Sequence, residues 1–249
     1  VTVSVLYWKI AMPLTLLGFP HVLNQRVLKS KIAAALAGVA LDVQSAEQAQ
    51  ASPLYKQNCQ PLGAAPVLQT EEGYVFESAA ILRHIARLGK ASGLYGSTDF
   101  EASQVDAWLD YVTSEIDPEN IPFLLASFGF VEMTYDEGVT KGKNALAAFA
   151  GASKWLETRT FLVGERITVA DVAVFVAFDG FLRHAQNASE GPKLKHLMRH
   201  YLTVLHHPKV QEAIKAMGGD GLVPPKKAPA KRPAKPTPAP PAAPTAAPE

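Results

Sequence analysis

Ser78 lies where the run Tyr74-Val75-Phe76 gives way to Ser78-Ala79-Ala80-Ile81-Leu82-Arg83, a strand pattern turning into a helical one. A residue there heads a helix, and the unpaired N–H groups and dipole of a helix start favour a carboxylate or another anion. The bland alternative is that Ser78 is an ordinary cap and Pro66, twelve residues earlier, a structural bend. Cys59, in Asn58-Cys59-Gln60-Pro61, is the single cysteine. A reactive thiol needs a positive or helix-start environment, and only Lys56 is near in sequence, so an inert thiol is expected. Seven histidines invite a search for a metal site. His196 and His200 are four apart and His206-His207 follow, but the intervening Leu197-Met198-Arg199 supplies no further ligand. Zinc chemistry would require one, so no metal site is assigned and these are expected to be surface-helix histidines. Thr168-Val169-Ala170-Asp171 is a helix start: the Thr168 hydroxyl is expected to accept the Asp171 N–H, while the Asp171 carboxylate reaches back to the Thr168 N–H. Ile167 and Val172 occupy the two hydrophobic-staple positions, and the nearly all-apolar run through Phe181 belongs in a core.

The elements that would position these groups change character along the chain. Val1 to Trp8 is β-branched and aromatic enough to read as a strand, followed by a long connection, Lys9 to Leu23, in which Pro13, Gly18 and Pro20 oppose regular structure. From Asn24 a helix begins, with Val27, Leu28, Ile32, Ala35 and Leu36 on one side, and Gly38 closes it. Val39–Val43 reads as a strand, 44–61 as polar and either irregular or helical, and Pro66–Thr70 with Tyr74–Phe76 as a hairpin around Glu71-Glu72-Gly73. Ser78 to Leu88 is a helix, and the Gly- and Ser-rich stretch 89–98 a linker. Beyond it only helical patterns occur. Val105, Trp108, Leu109, Val112 and Ile116 mark one helix, and Leu146, Phe149, Ala150, Trp155 and Leu156 another. Segments after Thr168, over Leu194–Leu205 and over Val210–Met217 complete the set. From Pro224, ten prolines and eight alanines in 26 residues leave nothing large to bury, which implies a disordered or semi-extended tail.

Composition sets outer limits. At 249 residues, 48% apolar and 19% charged, the chain can build a proper core. The net charge of +1 hides an asymmetry. Residues 224–249 hold Lys226, Lys227, Lys231, Arg232 and Lys235 against Glu249, a net +4, so the rest sums to −3. A mildly acidic body gives no footprint for specific nucleic-acid binding. No apolar run approaches the ~18–20 residues of a membrane span, and the proline-broken stretch 10–20 is expected not to be a secretory leader. One cysteine excludes an intrachain disulfide framework and suits a reducing compartment, so a cytoplasmic location is expected.

Two segments carry a family resemblance. Phe161-Leu162-Val163-Gly164-Glu165-Arg166-Ile167-Thr168-Val169-Ala170-Asp171 is similar to the capped, buried helix of the glutathione-transferase C-terminal domain. Pro66-Val67-Leu68, followed by Glu77-Ser78 and Ala80-Ile81, resembles that family's thiol-peptide site. The wording Thr158-Arg159-Thr160-Phe161-Leu162-Val163-Gly164-Glu165-Arg166 narrows the likeness to one branch, translation elongation factor 1 gamma. The run from Asn58 through Leu88 is similar to kinetoplastid-type members of it.

The resemblance implies an α/β thioredoxin-like N-terminal domain over 1–89 followed by an all-α glutathione-transferase C-terminal-like domain over 98–223, with a disordered Lys/Pro/Ala-rich linker over 224–249. It implies a cis Pro66, a Val67 that offers its backbone to a peptide thiol, and Glu77 and Ser78 at the γ-glutamyl end of glutathione or trypanothione. No other cofactor is implied. Transferases activate the thiol with a Tyr, Ser or Cys at the end of the first strand or the start of the first helix, which makes Tyr7 the catalytic candidate. The branch implies a scaffold that binds the exchange subunits (alpha/beta) of elongation factor 1B and, through them, elongation factor 1A. It also allows a homodimer. The alternative is a glutathione or trypanothione S-transferase.

Overall fold

The computed structural model describes residues 14–51, 53–127, 129–183 and 190–219. Val1–Trp8, Tyr7 within it, and the Pro/Ala-rich tail lie outside the described residues.

The first described strand is β1 (Leu14–Leu17), inside the stretch expected to be a long irregular connection. Its neighbours correct that expectation. Leu14 and Leu16 lie opposite Leu41 and Val43 of the parallel strand β2 (Leu41–Gln44), and Leu16 and Leu17 lie opposite Leu68 and Val67 of the antiparallel β3 (Val67–Thr70). Pro13 directly precedes β1 and Gly18 and Pro20 follow it, so they bound the strand instead of forbidding it. β4 (Gly73–Phe76) closes a four-stranded sheet of order β2-β1-β3-β4. Gly73, at φ 142, makes the hairpin turn, and the Thr70 hydroxyl accepts the N–H groups of Glu72 and Gly73.

Helix α1 (Gln25–Ala37) begins at Asn24, whose side chain accepts the Val27 N–H, and ends at Gly38 in the left-handed conformation. It buries more than one face: Val27, Leu28, Ile32, Ala33 and Ala34 are all shielded, because the helix packs against several other helices at once. Of the two alternatives open for 44–61 the structure shows the helical one, as two short helices, α2 (Glu47–Ala51) and α3 (Pro53–Asn58). α4 (Ser78–Leu88) packs Ile81, Leu82 and Ile85 against α1 and β3.

The helical half opens with α5 (Asp99–Tyr111), capped by the Thr98 side chain. It runs through one π-helical turn, residues 112–116, into α6 (Asp117–Ser127). Pro122 lies inside α6 and cannot donate to the Pro118 carbonyl one turn back; Lys141 Nζ donates to that carbonyl at 3.2 Å. α7 (Tyr135–Trp155) starts from a full capping box, Thr134 with Glu137. α8 (Val169–Arg183) is shielded on every side from Val169 to Phe181. α9 (Lys195–Leu205) and α10 (Pro208–Ala216) follow, and α10 returns to pack on α1. One apolar core, from Leu16 in the sheet to Met217 beyond α10, runs through both halves.

Candidate functional site

The β3–β4 hairpin gathers the residues the sequence singled out. The Ala65–Pro66 peptide is cis, and Pro66 leads directly into β3. The loop before it is held by side chains. Gln60 Oε1 accepts the N–H groups of Leu62 and Ala64 at 2.7 and 2.8 Å, and the Tyr55 hydroxyl donates to the Ala64 carbonyl at 2.9 Å. Val67 pairs across the ladder with Phe76, the residue before Glu77. Cross-strand pairing therefore brings Glu77 and Ser78 beside the proline loop.

Glu77 has φ 66 and ψ 121, a left-handed backbone rare for a residue with a side chain. Its carbonyl accepts the Ile81 N–H at 2.9 Å, so α4 is already engaged, and the Glu77 side chain makes no cap bond. Ser78, Ala79 and Ala80, the first turn of α4, line a cleft of about 450 Å³ between the sheet half and the helical half. Glu77 itself, Arg26 from α1, Arg83 from α4, Asp110 from α5, Thr113, and Asp117, Pro118, Ile121 and Pro122 from α6 complete its walls. A helix start flanked by two guanidinium groups suits a carboxylate. Pro66 and Val67 are buried beside this cleft and are not part of its walls.

The charges around the cleft are largely committed. Arg83 Nε and Nη2 lie 2.5 and 2.6 Å from Asp106 and Asp110. Lys29, almost fully buried, lies 3.9 Å from Asp117. Burial lowers the Lys29 ammonium from its ordinary value, against the attraction of Asp117. Burial likewise raises the Asp117 carboxyl, against Lys29 and Arg26. Desolvation thus outweighs pairing on both partners. Neither residue was singled out in sequence; a lysine on the apolar side of α1, between Leu28 and Ile32, was the available signal.

With β1 at 14–17, the strand-to-helix connection is Gly18-Phe19-Pro20-His21-Val22-Leu23-Asn24. It offers no Tyr, Ser or Cys. Gly18 fits the fold by being small: a Cβ there would approach Val27 to 2.6 Å and Pro66 to 3.5 Å. Tyr7 lies outside the described residues. Cys59 is half-buried, and its thiol, against the Tyr74 phenol, holds that phenol's pKa up.

Thr168 and Asp171 stand at the start of α8. The Asp171 carboxylate accepts the Thr168 N–H at 2.7 Å. The Thr168 hydroxyl donates to the same carboxylate at 2.9 Å instead of accepting a backbone N–H. The other Asp171 oxygen accepts Leu162 N–H and meets His200 Nε2, both at 2.8 Å. His200, expected on a surface, is fully buried in α9, facing Asp171. The arrangement is architectural: it lies in the core, away from the cleft residues.

Comparison with known proteins agrees with this geometry. The family model described as glutathione S-transferase, N-terminal domain matches residues 12–87, and that of the C-terminal domain matches residues 111–208. Elongation factor 1-gamma of Trypanosoma cruzi is 44% identical over 218 residues, 83% of this chain and 51% of that protein. Elongation factor 1-gamma 3 of Oryza sativa subsp. japonica is 33% identical over 217 residues, 82% of this chain and 50% of that protein. The chain thus spans about half the length of these curated relatives. Among solved structures, glutathione transferase F2 from Populus trichocarpa has a TM-score of 0.73 at 18% identity, covering 83% of this chain and 99% of that one. Glutathione S-transferase III in apo form has a TM-score of 0.72 at 19% identity, covering 83% and 97%. At such identity these last two show a shared fold.

Proposed function

The chain belongs to the elongation factor 1-gamma family, and from that membership we propose that it acts as the gamma subunit of the elongation factor 1B complex. In this role it is a scaffold. It binds the guanine-nucleotide-exchange subunits (alpha/beta) in the cytoplasm and through them meets elongation factor 1A, while the exchange chemistry belongs to those partners. The observation that carries the reading is the 44% identity to an elongation factor 1-gamma across 218 residues. A second observation supports a role other than catalysis: the connection 18–24, where transferases place the thiol-activating group, has no hydroxyl or thiol. Domain boundaries at 89 and 98 and a linker from 224 fit this role, with surfaces on the folded halves and a spacer beyond them. Self-association through the transferase fold is compatible with it.

Affinity purification of the native protein, followed by identification of co-purifying chains, tests the proposal. Elongation-factor subunits are expected, and recovery without any of them would overturn the scaffold role.

A second reading rests on the cis Ala65–Pro66 peptide and on Glu77 and Ser78 at the cleft. On this reading Val67, Glu77 and Ser78 hold glutathione or trypanothione as a ligand, and the chain is an S-transferase. Calorimetric titration and a conjugation assay with both thiols test it, with Ser78→Ala as the control. Binding lost in that variant supports a thiol site, while equal inactivity with both thiols removes the enzyme.

A further inference from the structure

From Gly191 to Gln211 the sequence holds Lys193, Lys195, Arg199 and Lys209 and no Asp or Glu. Residues 1–223 sum to −3 with this stretch and to −7 without it, so it is a positive segment of an acidic body. Most of it is α9, whose outward face carries Lys195, Arg199, Leu202 and His206, all exposed and spaced three or four residues apart. The end of α7 adds to that face. The Ser153 hydroxyl accepts the Leu197 N–H at 3.3 Å, which sets the start of α9 beside Lys154 and Trp155. Arg199 Nη2 donates to the Leu156 and Arg159 carbonyls, both at 2.6 Å, and the Arg159 guanidinium lies over the Trp155 ring, 4.2 Å from its centroid. Trp155 is 37% exposed and is fixed by its Nε1–H, which donates to the Leu162 carbonyl at 3.0 Å.

Lys154, Arg159, Lys195 and Arg199 thus stand together, all exposed, with Glu157 as the acid between them in sequence. Arg83, Lys141, Arg166 and Arg183 each have an acidic partner; among the described residues these four have none. Carbonyls and an aromatic ring hold the two arginines without cancelling their charge, so the remaining guanidinium hydrogens face an outside acceptor. Arginines already fixed in place lose little side-chain freedom on binding, and carboxylates meet them with charge-assisted hydrogen bonds. Nucleic acid suits this surface less well. Arg159 lies over the Trp155 ring and Trp108 packs against it at 5.7 Å, which leaves a base little ring to stack on. An eleven-residue helix is also only ~16 Å long, and beyond it the acidic body repels a longer polyanion.

We propose that the outward face of α9, with Lys154, Arg159 and Trp155 at its edge, is a docking surface for a short acidic segment of a partner protein. Carboxylates of that segment pair with Lys195, Arg199 and Lys154, and an apolar residue covers Leu202, 42% exposed on the same face. This surface is additional to the scaffold role and independent of the identity of the exchange subunits.

The test uses the full chain, titrated at low salt into a fluorescein-labelled peptide of Glu-Glu-Leu repeated four times, with anisotropy as the readout. Saturable binding is expected, and none to the Gln-Gln-Leu counterpart. The variant K154E/K195E alters two exposed lysines and leaves every hydrogen bond around Arg199 and Trp155 in place; it is expected to bind about tenfold more weakly. The variant K90E/K143E makes the same change of charge at exposed lysines outside this face and is expected to bind as the unaltered chain does. The basic tail is common to all three proteins, so a difference among them reports on α9. Equal affinity of the unaltered chain and K154E/K195E would overturn the proposal, as would absence of binding to the unaltered chain. An equal loss in K90E/K143E would overturn it in favour of attraction by net charge alone. Tighter binding of a twelve-nucleotide oligouridylate, lost in K154E/K195E, would overturn it in favour of RNA.

Discussion

The Asp171 carboxylate accepts from the Thr168 and Leu162 N–H groups, the Thr168 hydroxyl and His200 Nε2 while fully shielded from water. Because a carboxylate can only accept, the facing His200 nitrogen carries hydrogen. Replacing Asp171 with Ala leaves those donors buried without partners. Urea unfolding should show a loss of about 3–5 kcal/mol, as expected when one side of a buried pair is removed. Thr168→Ala removes one hydroxyl donor and leaves the carboxylate its other partners, so it should cost about 1 kcal/mol. Equal losses in both variants would contradict this account. Lys29 and Asp117 behave differently, since burial works against both. A carboxyl whose pKa is raised on folding keeps its proton in the folded state at pH values where the unfolded chain has released it. Its contribution to stability is therefore present below the ordinary value of 3.8 and is lost as pH rises through the raised value. Asp117→Asn should flatten that decline in urea midpoints measured upward from about pH 4, although overall stability falls because Lys29 is left alone. Lys29→Met with Asp117→Leu should be more stable than either single variant. A double variant no better than the singles would show that the pair stabilises the fold.

Helix crossings carry the next prediction. α1 and α8 approach at Gly180, where a Cβ would lie 1.8 Å from Gln25 Nε2, the atom that donates to the Val176 carbonyl at 3.0 Å. Gly180→Ala alone should destabilise by about 1–3 kcal/mol through overpacking. In a Gln25→Ala background the same change should be neutral or favourable, since Ala exceeds Gly in helix propensity by about 1 kcal/mol. Additive effects in thermal melts of the two singles and the double would count against this packing. At the same scale it becomes clear which elements could be read from sequence. α1 and α4 were legible because each ends at a glycine and carries an apolar pattern of helical period, and α8 because a cap precedes a nearly all-apolar run. α6 was not, because Pro118 and Pro122 resemble helix breakers, and Lys141 supplies the missing donor to the Pro118 carbonyl from 23 residues away. β1 was misplaced because a four-residue strand has almost no period, while Val1–Trp8 has the stronger β composition. His200 was misjudged because burial depends on a partner, Asp171, that lies on another helix. Of the cleft, the hairpin and helix start were readable; Arg26 and Asp117 reach it, and Lys29 reaches Asp117, through tertiary packing that no local pattern encodes.

Across the whole molecule, α1 belongs by sequence to the sheet half yet packs on α8 and α10 of the helical half, and one core joins the two. The halves should therefore unfold together. In a Trp8→Phe background, Trp108 and Trp155 report only on the helical half, where their rings lie 5.7 Å apart. Fluorescence and far-UV circular dichroism should trace the same urea transition, and separated midpoints would refute the coupling. The π-helical turn at 112–116 bears on this union. Such a turn holds one residue more than an α-turn, so the side chains beyond it are rotated by about 100° around the axis relative to an unbroken helix. Asp117, Ile121 and Pro122 all lie beyond it and form one wall of the cleft, with Asp117 facing Lys29. One extra residue in that turn sets the phase of everything downstream. Without it the two halves would still touch, but a different set of side chains would face the sheet.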